Sequence, residues 1–383
     1  MKQATVIGSG LVGSLWTIYL LKAGYKVKVI ERRSDMRKAT MSAGKSINLA
    51  MSTRGWKALD EMGIGDEIRK ISIPMFGRTM HPLSGSTTYQ PYGINNQAIY
   101  SVSRGEINCK LMDIAEQKGN VEFFFNEECI NADLKEGIVK LKNSETGNIT
   151  ELKSDVVFAT DGAFSAIRYN AMQKLDRFSY SQNYIEDGYR EILLPANPDG
   201  SFKLDKNTLH IWPRGRFMLI ALPNFDGSYT CTLFMPFDGH EYCFNKLTSK
   251  EKVEEFFKNV FPDFFEMMPN VADAWENHPL SSLAIIRCYP WFHGKVMLMG
   301  DAAHATVPFF GQGMNCGFED CSVMWELMQK HKDDWSKIGE EYQVLRKPNG
   351  DAVQDLSVNN YLVMRNKVAD PDFLLLQKIE RRI

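Results

Sequence analysis

Three short apolar runs, at 5–7, 156–159 and 296–299, each end within two residues of a glycine or an acid. Each is followed by a stretch of helical period, so strand then helix is predicted three times over. The first of these helices ends near residue 22, is stopped by Gly24, and gives way to a second strand over 25–30. Helices are also predicted over about 54–69, with Leu59, Met62 and Ile68 on one face, and from Arg104 onward, with Ile107, Leu111 and Ile114. Strands are expected over 45–51, 121–130 and 137–142, and a helix over about 250–261. The pattern changes at 74–100 and again at 180–236. There the period approaches two, with turns such as Asn224-Phe225-Asp226-Gly227, which predicts antiparallel strands leaving the first domain. The last stretch, 338–383, reads as helices.

Composition narrows this picture. A chain of 383 residues, 44% hydrophobic, can bury a large core, and two domains are expected. A net charge of −2, with no aromatic-plus-basic repeat, argues against nucleic acid. No apolar run reaches the roughly 18 residues of a membrane span. The first strand starts near Met1, which predicts no leader, and a cytoplasmic location is expected. Seven cysteines without a C-x-x-C pair read as reduced thiols. The seven histidines have no metal-ligand spacing, so no metal site is expected.

The chemistry sits at the strand ends. Gly8, Gly10 and Gly13 follow a strand and open a helix, and Glu31 ends the next strand. In that setting the glycines admit a pyrophosphate and the acid accepts hydrogen bonds from a ribose. Arg32 and Arg33, just beyond, leave open a contact to a nucleotide phosphate. A second strand ends in Asp161-Gly162 and a third in Gly300-Asp301. After Pro308, Gly311, Gly313, Asn315 and Gly317 open a helix whose free N–H groups favour negative charge. Arg104 stands at a helix start, where a cation helps only if a phosphate is near. A plain NAD(P) dehydrogenase would leave Asp301 and the helix after it without a ligand.

These three strand-end motifs together resemble the FAD-dependent aromatic hydroxylases of the para-hydroxybenzoate hydroxylase fold. The runs 45–50, 91–93, 209–214 and 307–315, with the pair Arg78 and His81, are similar to its kynurenine-hydroxylating members, and the resemblance spans essentially the whole chain. It implies an α/β, Rossmann-like FAD-binding domain with a mixed or parallel sheet (1–73, 101–175 and 285–330). An inserted antiparallel-sheet substrate domain (74–100 and 176–284) and a C-terminal helical segment (331–383) complete the expected fold. Gly8, Gly10, Val12, Gly13, Glu31, Arg32, Arg33, Ala50, Arg104, Asp301, Gly313, Met314 and Asn315 would hold non-covalent FAD, with Cys129 touching it through its backbone. Arg78, Tyr92 and Asn360 would meet the amino-acid end of L-kynurenine, with Phe309 and Met364 near its ring. NADPH as a transient reductant and O₂ as co-substrate would give 3-hydroxykynurenine through a flavin C4a-hydroperoxide. No side-chain base is implied, and His304 is expected to be a hydrogen-bonded structural histidine. Val363 departs from a glutamate found in some relatives, and the resemblance implies a further C-terminal helical segment that this sequence does not include, so a shortened chain is expected. A related hydroxylase or reductase of another aromatic acid, or an inactive flavin-binding form, stays open.

Overall fold

The computed structural model describes residues 2–38 and 48–366, the last three of these as backbone only. The motif residues Lys45, Ser46 and Ile47 and the side chain of Met364 fall outside the described part.

A six-stranded sheet forms the first layer. Its order is Phe292–His293, Val296–Leu298, Val156–Ala159, Gln3–Ile7, Lys26–Ile30 and Val121–Phe124. All neighbours are parallel except the first pair. Val6, Val27, Val29, Val157 and Met297 are fully buried, as a parallel sheet covered on both faces requires. The register sets Ile7 beside Ala159 and Ala159 beside Leu298. All three acidic or glycine-rich strand ends therefore emerge at one edge.

The second layer is a seven-stranded sheet. Ser281–Tyr289, Ser179–Leu194, Tyr229–Pro236, Phe217–Pro223 and Thr208–Arg214 run antiparallel in that order. Gly77–Met80 then adds in parallel to Thr208–Arg214, and Thr88–Pro91 closes the edge as its hairpin partner. Alternation sorts the side chains: Ile211, Met218 and Phe234 enter one apolar cluster, while Trp212, Leu219 and Leu233 enter another beneath the helices Lys250–Val260, Pro262–Met267 and Val271–Trp275.

Several boundaries differ from the sequence reading. The helix expected over 54–69 is two, Thr53–Glu61 and Gly65–Arg69, because Gly63 takes a left-handed φ of 70° between them. The helix expected after the strand 156–159 is short, Ala166–Asn170, followed by a 3₁₀ turn, Met172–Lys174. The domain edges drawn at 73 and 100 fall inside Ser72–Met75 and Ile99–Ser103, which pair with each other in a small sheet with Asn48–Met51. The edge at 285 falls inside Ser281–Tyr289, whose partner is in the antiparallel sheet. The expected C-terminal helices are, as far as the described residues run, one helix, Trp335–Asn366. It carries Pro348, whose ring denies the Val344 carbonyl its usual partner; Val344 is exposed, so water can take that place. Among the described residues no helix is long and apolar enough to cross a membrane.

Candidate active site

Close approach explains the glycines at the strand-end edge. A Cβ on Gly13 would lie 2.0 Å from the Gly8 carbonyl oxygen and 2.5 Å from Thr160 Oγ1, so only glycine lets the helix Leu11–Lys22 start there. Gly300 has φ 58°, and a Cβ on it would meet Val12 at 2.9 Å. The first and third motifs thus touch through Val12. Arg168, 1% exposed, ties the second to the third: it donates to the Ala302 carbonyl at 2.7 Å and the Ala163 carbonyl at 2.5 Å. Sequence reasoning passed over Arg168, and nothing in its local pattern marks it.

Glu31 is buried and accepts from Ser9 N (3.0 Å), Ser9 Oγ (3.2 Å), Arg33 N (3.0 Å) and Arg33 Nε (2.7 Å). Burial alone would push its pKa up. The hydrogen bond and charge of Arg33 outweigh that and hold it below the usual carboxylate range. Asp161 is the opposite case. One oxygen accepts from Ala166 N (2.8 Å), the other is buried without a hydrogen-bond partner among the described residues, and burial raises its pKa.

Asn315, fully buried, spends its side chain on the scaffold. Its Oδ1 accepts from Ser52 N (2.9 Å), and its Nδ2 donates to the carbonyls of Ala50 (2.8 Å) and Gly311 (2.9 Å). What it can offer a ligand is backbone N–H at the start of Gly313–His331, beside Gly313 and Met314. Behind that helix lies a closed ionic cluster. Asp320 accepts from His304 Nε2 (2.6 Å), Gly300 N (2.9 Å) and Arg346 Nε (2.7 Å), and Arg346 also reaches Glu319 (2.6 Å) and the Cys316 carbonyl (3.0 Å). Burial opposes the charge on Asp320, but His304 and Arg346 bring its pKa down to about 2. His304 is therefore structural, as expected from the sequence, and Asp301 next to Gly300 stays exposed.

The remaining residues face the apolar side of the seven-stranded sheet. The hairpin brings Tyr92 N to the Phe76 carbonyl (3.0 Å), and the Arg78 guanidinium lies 5.3 Å from the centre of the Tyr92 ring. Arg78 Nε and the Tyr92 hydroxyl are both buried without a hydrogen-bond partner among the described residues. Burial raises the Tyr92 pKa, and the neighbouring Arg78 pulls the other way. Met80, two residues on from Arg78, packs in one cluster with Ile211, Met218, Phe234 and Phe309. Phe309 stacks on Tyr361 at 3.7 Å and meets Phe234 edge-on at 4.9 Å. Asn360 Nδ2 donates to the Phe309 carbonyl at 2.5 Å. The sequence named Phe309 but not its partners Ile211, Met218 and Phe234; the two-residue period marked them as strand without saying which face was open. Glu191 lies on the same face as Tyr189, and burial lifts its pKa to about 7 against the pull of Arg104. Arg104 and Arg32 are exposed, while Cys129 is buried with its thiol pushed up to about 12 by burial.

With this geometry in place, comparison assigns the class. The profile of the FAD binding domain family matches residues 1–357. The tetrameric form of 2-methyl-3-hydroxypyridine-5-carboxylic acid oxygenase superposes with a TM-score of 0.78 at 19% identity, over 98% of this chain and 95% of that one. An HpxO variant from Klebsiella pneumoniae, solved with FAD, gives 0.76 at 17% identity, over 100% and 94%. The fold is that of an FAD-dependent aromatic monooxygenase. Relatives named kynurenine 3-monooxygenase are 52% identical in Flavobacterium johnsoniae (99% of this chain, 84% of the relative), 45% in Myxococcus xanthus (98% and 81%) and 41% in Sus scrofa (98% and 79%). The chain belongs to the kynurenine 3-monooxygenase family. The residues present fit FAD: Gly10 faces open space at the strand-end edge, one Asp161 oxygen is buried without a partner among the described residues, and Gly313 opens a helix whose first N–H groups are free of intrahelical bonds.

Proposed function

We propose that this chain hydroxylates L-kynurenine to 3-hydroxykynurenine, using NADPH and O₂, with Arg78 as the anchor of the substrate's carboxylate. The observation that carries the reading is the pair of buried, unpartnered polar atoms on Arg78 and Tyr92, at the rim of an apolar wall. Such atoms cost stability unless a ligand completes them. A carboxylate does so: the guanidinium offers a fork of donors, and the phenol adds another. Ile211, Met218, Phe234 and Phe309 then supply a surface for an aromatic ring, and Asn360 borders it.

Gly8, Gly10, Val12, Gly13, Glu31, Arg32, Arg33, Ala50, Arg104, Asp301, Gly313, Met314 and Asn315 are the residues that would hold FAD, with Cys129 contributing backbone only. Asp301 would accept from its hydroxyls, Glu31 would do so in exchange for one of the Ser9 or Arg33 donors it now holds, and the start of Gly313–His331 would favour negative charge on its ring. Bound FAD supplies the electron transfer from NADPH and the activation of O₂. The protein's part is to hold the ring carbon beside the amine within reach and to keep water from that surface. No side chain is assigned as a general base. Met364, outside the described side chains, belongs to the same proposal.

Titrating kynurenine against flavin absorbance tests this. Arg78→Met should weaken binding about 30- to 1000-fold, on the order of 2–4 kcal/mol, with flavin content unchanged. Arg78→Lys should recover only part, because an ammonium keeps the charge and loses the fork. Near-wild-type affinity in Arg78→Met would sink the assignment. Product formation with kynurenine, set against other aromatic acids, separates this substrate from its rivals.

A further inference from the structure

On the sheet face turned away from Arg78, two buried histidines meet end to end. His81 is 5% exposed and His210 2%. Asp263 Oδ2 lies 2.9 Å from His81 Nδ1, His81 Nε2 lies 2.9 Å from His210 Nδ1, and His210 Nε2 lies 2.8 Å from the Asp205 carbonyl. Both ends of this row are acceptors. The same Asp263 oxygen also accepts from Trp212 Nε1 at 2.8 Å. Three contacts below 3 Å need three protons, and two neutral imidazoles bring two. With only two, one contact would set lone pair against lone pair. The other groups around the row leave this count standing. Thr208 Oγ1, 3.2 Å from His210 Nε2, accepts from Thr79 and gives its own proton to the Asp205 carbonyl at 3.5 Å, so it adds none to the contact between His210 Nε2 and that carbonyl. Trp212 stacks on His81 at 4.0 Å, the Tyr229 ring meets His210 edge-on at 5.8 Å, and Arg214 donates to the His81 carbonyl at 2.9 Å.

We propose that this pair carries one proton more than two neutral rings, as an imidazolium at His81 balanced by Asp263, and that the resulting ion pair is the positioning device for Arg78. The one carboxylate on the row, Asp263, stands at the His81 end and only a neutral carbonyl at the His210 end, which places the extra charge on His81. The mechanical side follows from the register. Arg78 pairs with Leu209, and Thr79 and His81 flank it on the far face, bonded to Thr208 and His210 in turn. His81 N also donates to the Ile211 carbonyl at 2.8 Å. The penultimate strand is thus clamped from behind at the place where Arg78 leaves its front, and Asp263 fixes the clamp to Pro262–Met267. The positioning half of this inference rests on Arg78 being the carboxylate anchor, and the proton count does not.

Nitrogen-15 spectra of the histidine-labelled, FAD-loaded protein at neutral pH should show three protonated ring nitrogens in the pair, both of His81 and Nε2 of His210. Two would overturn the proton count. His81→Phe, which keeps the stack on Trp212, should weaken kynurenine binding about tenfold while leaving flavin content and turnover at saturating kynurenine unchanged. In an Arg78→Met background the same change should add nothing, since its effect passes through Arg78. Additive losses would overturn the positioning role. Asp263→Asn should act in the same direction as His81→Phe and serves if that variant does not fold; wild-type affinity in Asp263→Asn overturns the role as well. An Arg78→Met protein with wild-type affinity removes the anchor itself, and the spectra still decide the proton count.

Discussion

Two buried groups of charges and dipoles in this protein are built on opposite principles. In the cluster around Asp320, both carboxylate oxygens are filled by His304, Gly300 and Arg346. At Arg78 and Tyr92, which lie close to each other, Arg78 Nε and the phenol hydroxyl are equally cut off from water and lack a hydrogen-bond partner among the described residues. A satisfied buried network holds a fold together, and its value shows when one member is removed. An unsatisfied one is a standing cost that a ligand can lift.

The comparison breaks most visibly at Asp320. Asp320→Ala should cost about 3–5 kcal/mol of folding stability, because the buried Arg346 Nε and His304 Nε2 would both lose their carboxylate, with only the part-exposed Glu319 left to Arg346. Urea unfolding of the FAD-loaded protein reads this, and a loss well under 1 kcal/mol would mean the cluster is relaxed by water. The mirror-image change is Tyr92→Phe. It should lower kynurenine affinity by about 1 kcal/mol, roughly fivefold, and leave the urea midpoint unchanged or slightly higher, since it removes an unpaired buried hydroxyl. A destabilised Tyr92→Phe would place Tyr92 with the scaffold.

Acidity sharpens the same contrast by smaller amounts. The Asp320 pKa is depressed in the fold, to about 2, so its contribution is present above the unfolded value of about 3.9 and fades as pH falls between about 4 and 2. Glu191 goes the other way. Its folded pKa is raised to about 7, so its contribution is full below the unfolded value of about 4.3 and is lost as pH rises through about 7. Stability measured from pH 5 to 8 should therefore decline less in Glu191→Gln than in the wild type. An unchanged slope would mean the carboxyl reaches water.

Much of this was legible from the residues. The strand-end motifs required their setting of strand, turn and helix, and the parallel register delivers it. Arg78 and Tyr92 were picked out by resemblance, and their hairpin brings them together. Asn315 was placed against the cofactor, and its side chain instead binds Ser52, Ala50 and Gly311, leaving backbone for any ligand. What could not be read were partnerships across long stretches of chain. Arg168 with Ala302, Arg346 with Asp320 and His81 with His210 depend on which elements become neighbours. The parallel insertion of Gly77–Met80 beside Thr208–Arg214 is one such neighbourhood, and no local period announces it.

The helix Trp335–Asn366 is fastened along its length. Gln343 accepts from Trp291 N, Arg346 holds Asp320, Gln354 donates to the Ile286 and Ala305 carbonyls, and Asn360 donates to the Phe309 carbonyl. A rod of this kind is a ruler. At about 1.5 Å of rise per residue, the fourteen steps from 346 to 360 fix roughly 21 Å between two fastenings. Length can change there only in whole residues, each turning the far end by about 100°. Descendants of this chain can lengthen their surface turns freely, but a single insertion or deletion between 346 and 360 would rotate one fastening off its mark. That stretch should drift in composition and never in count.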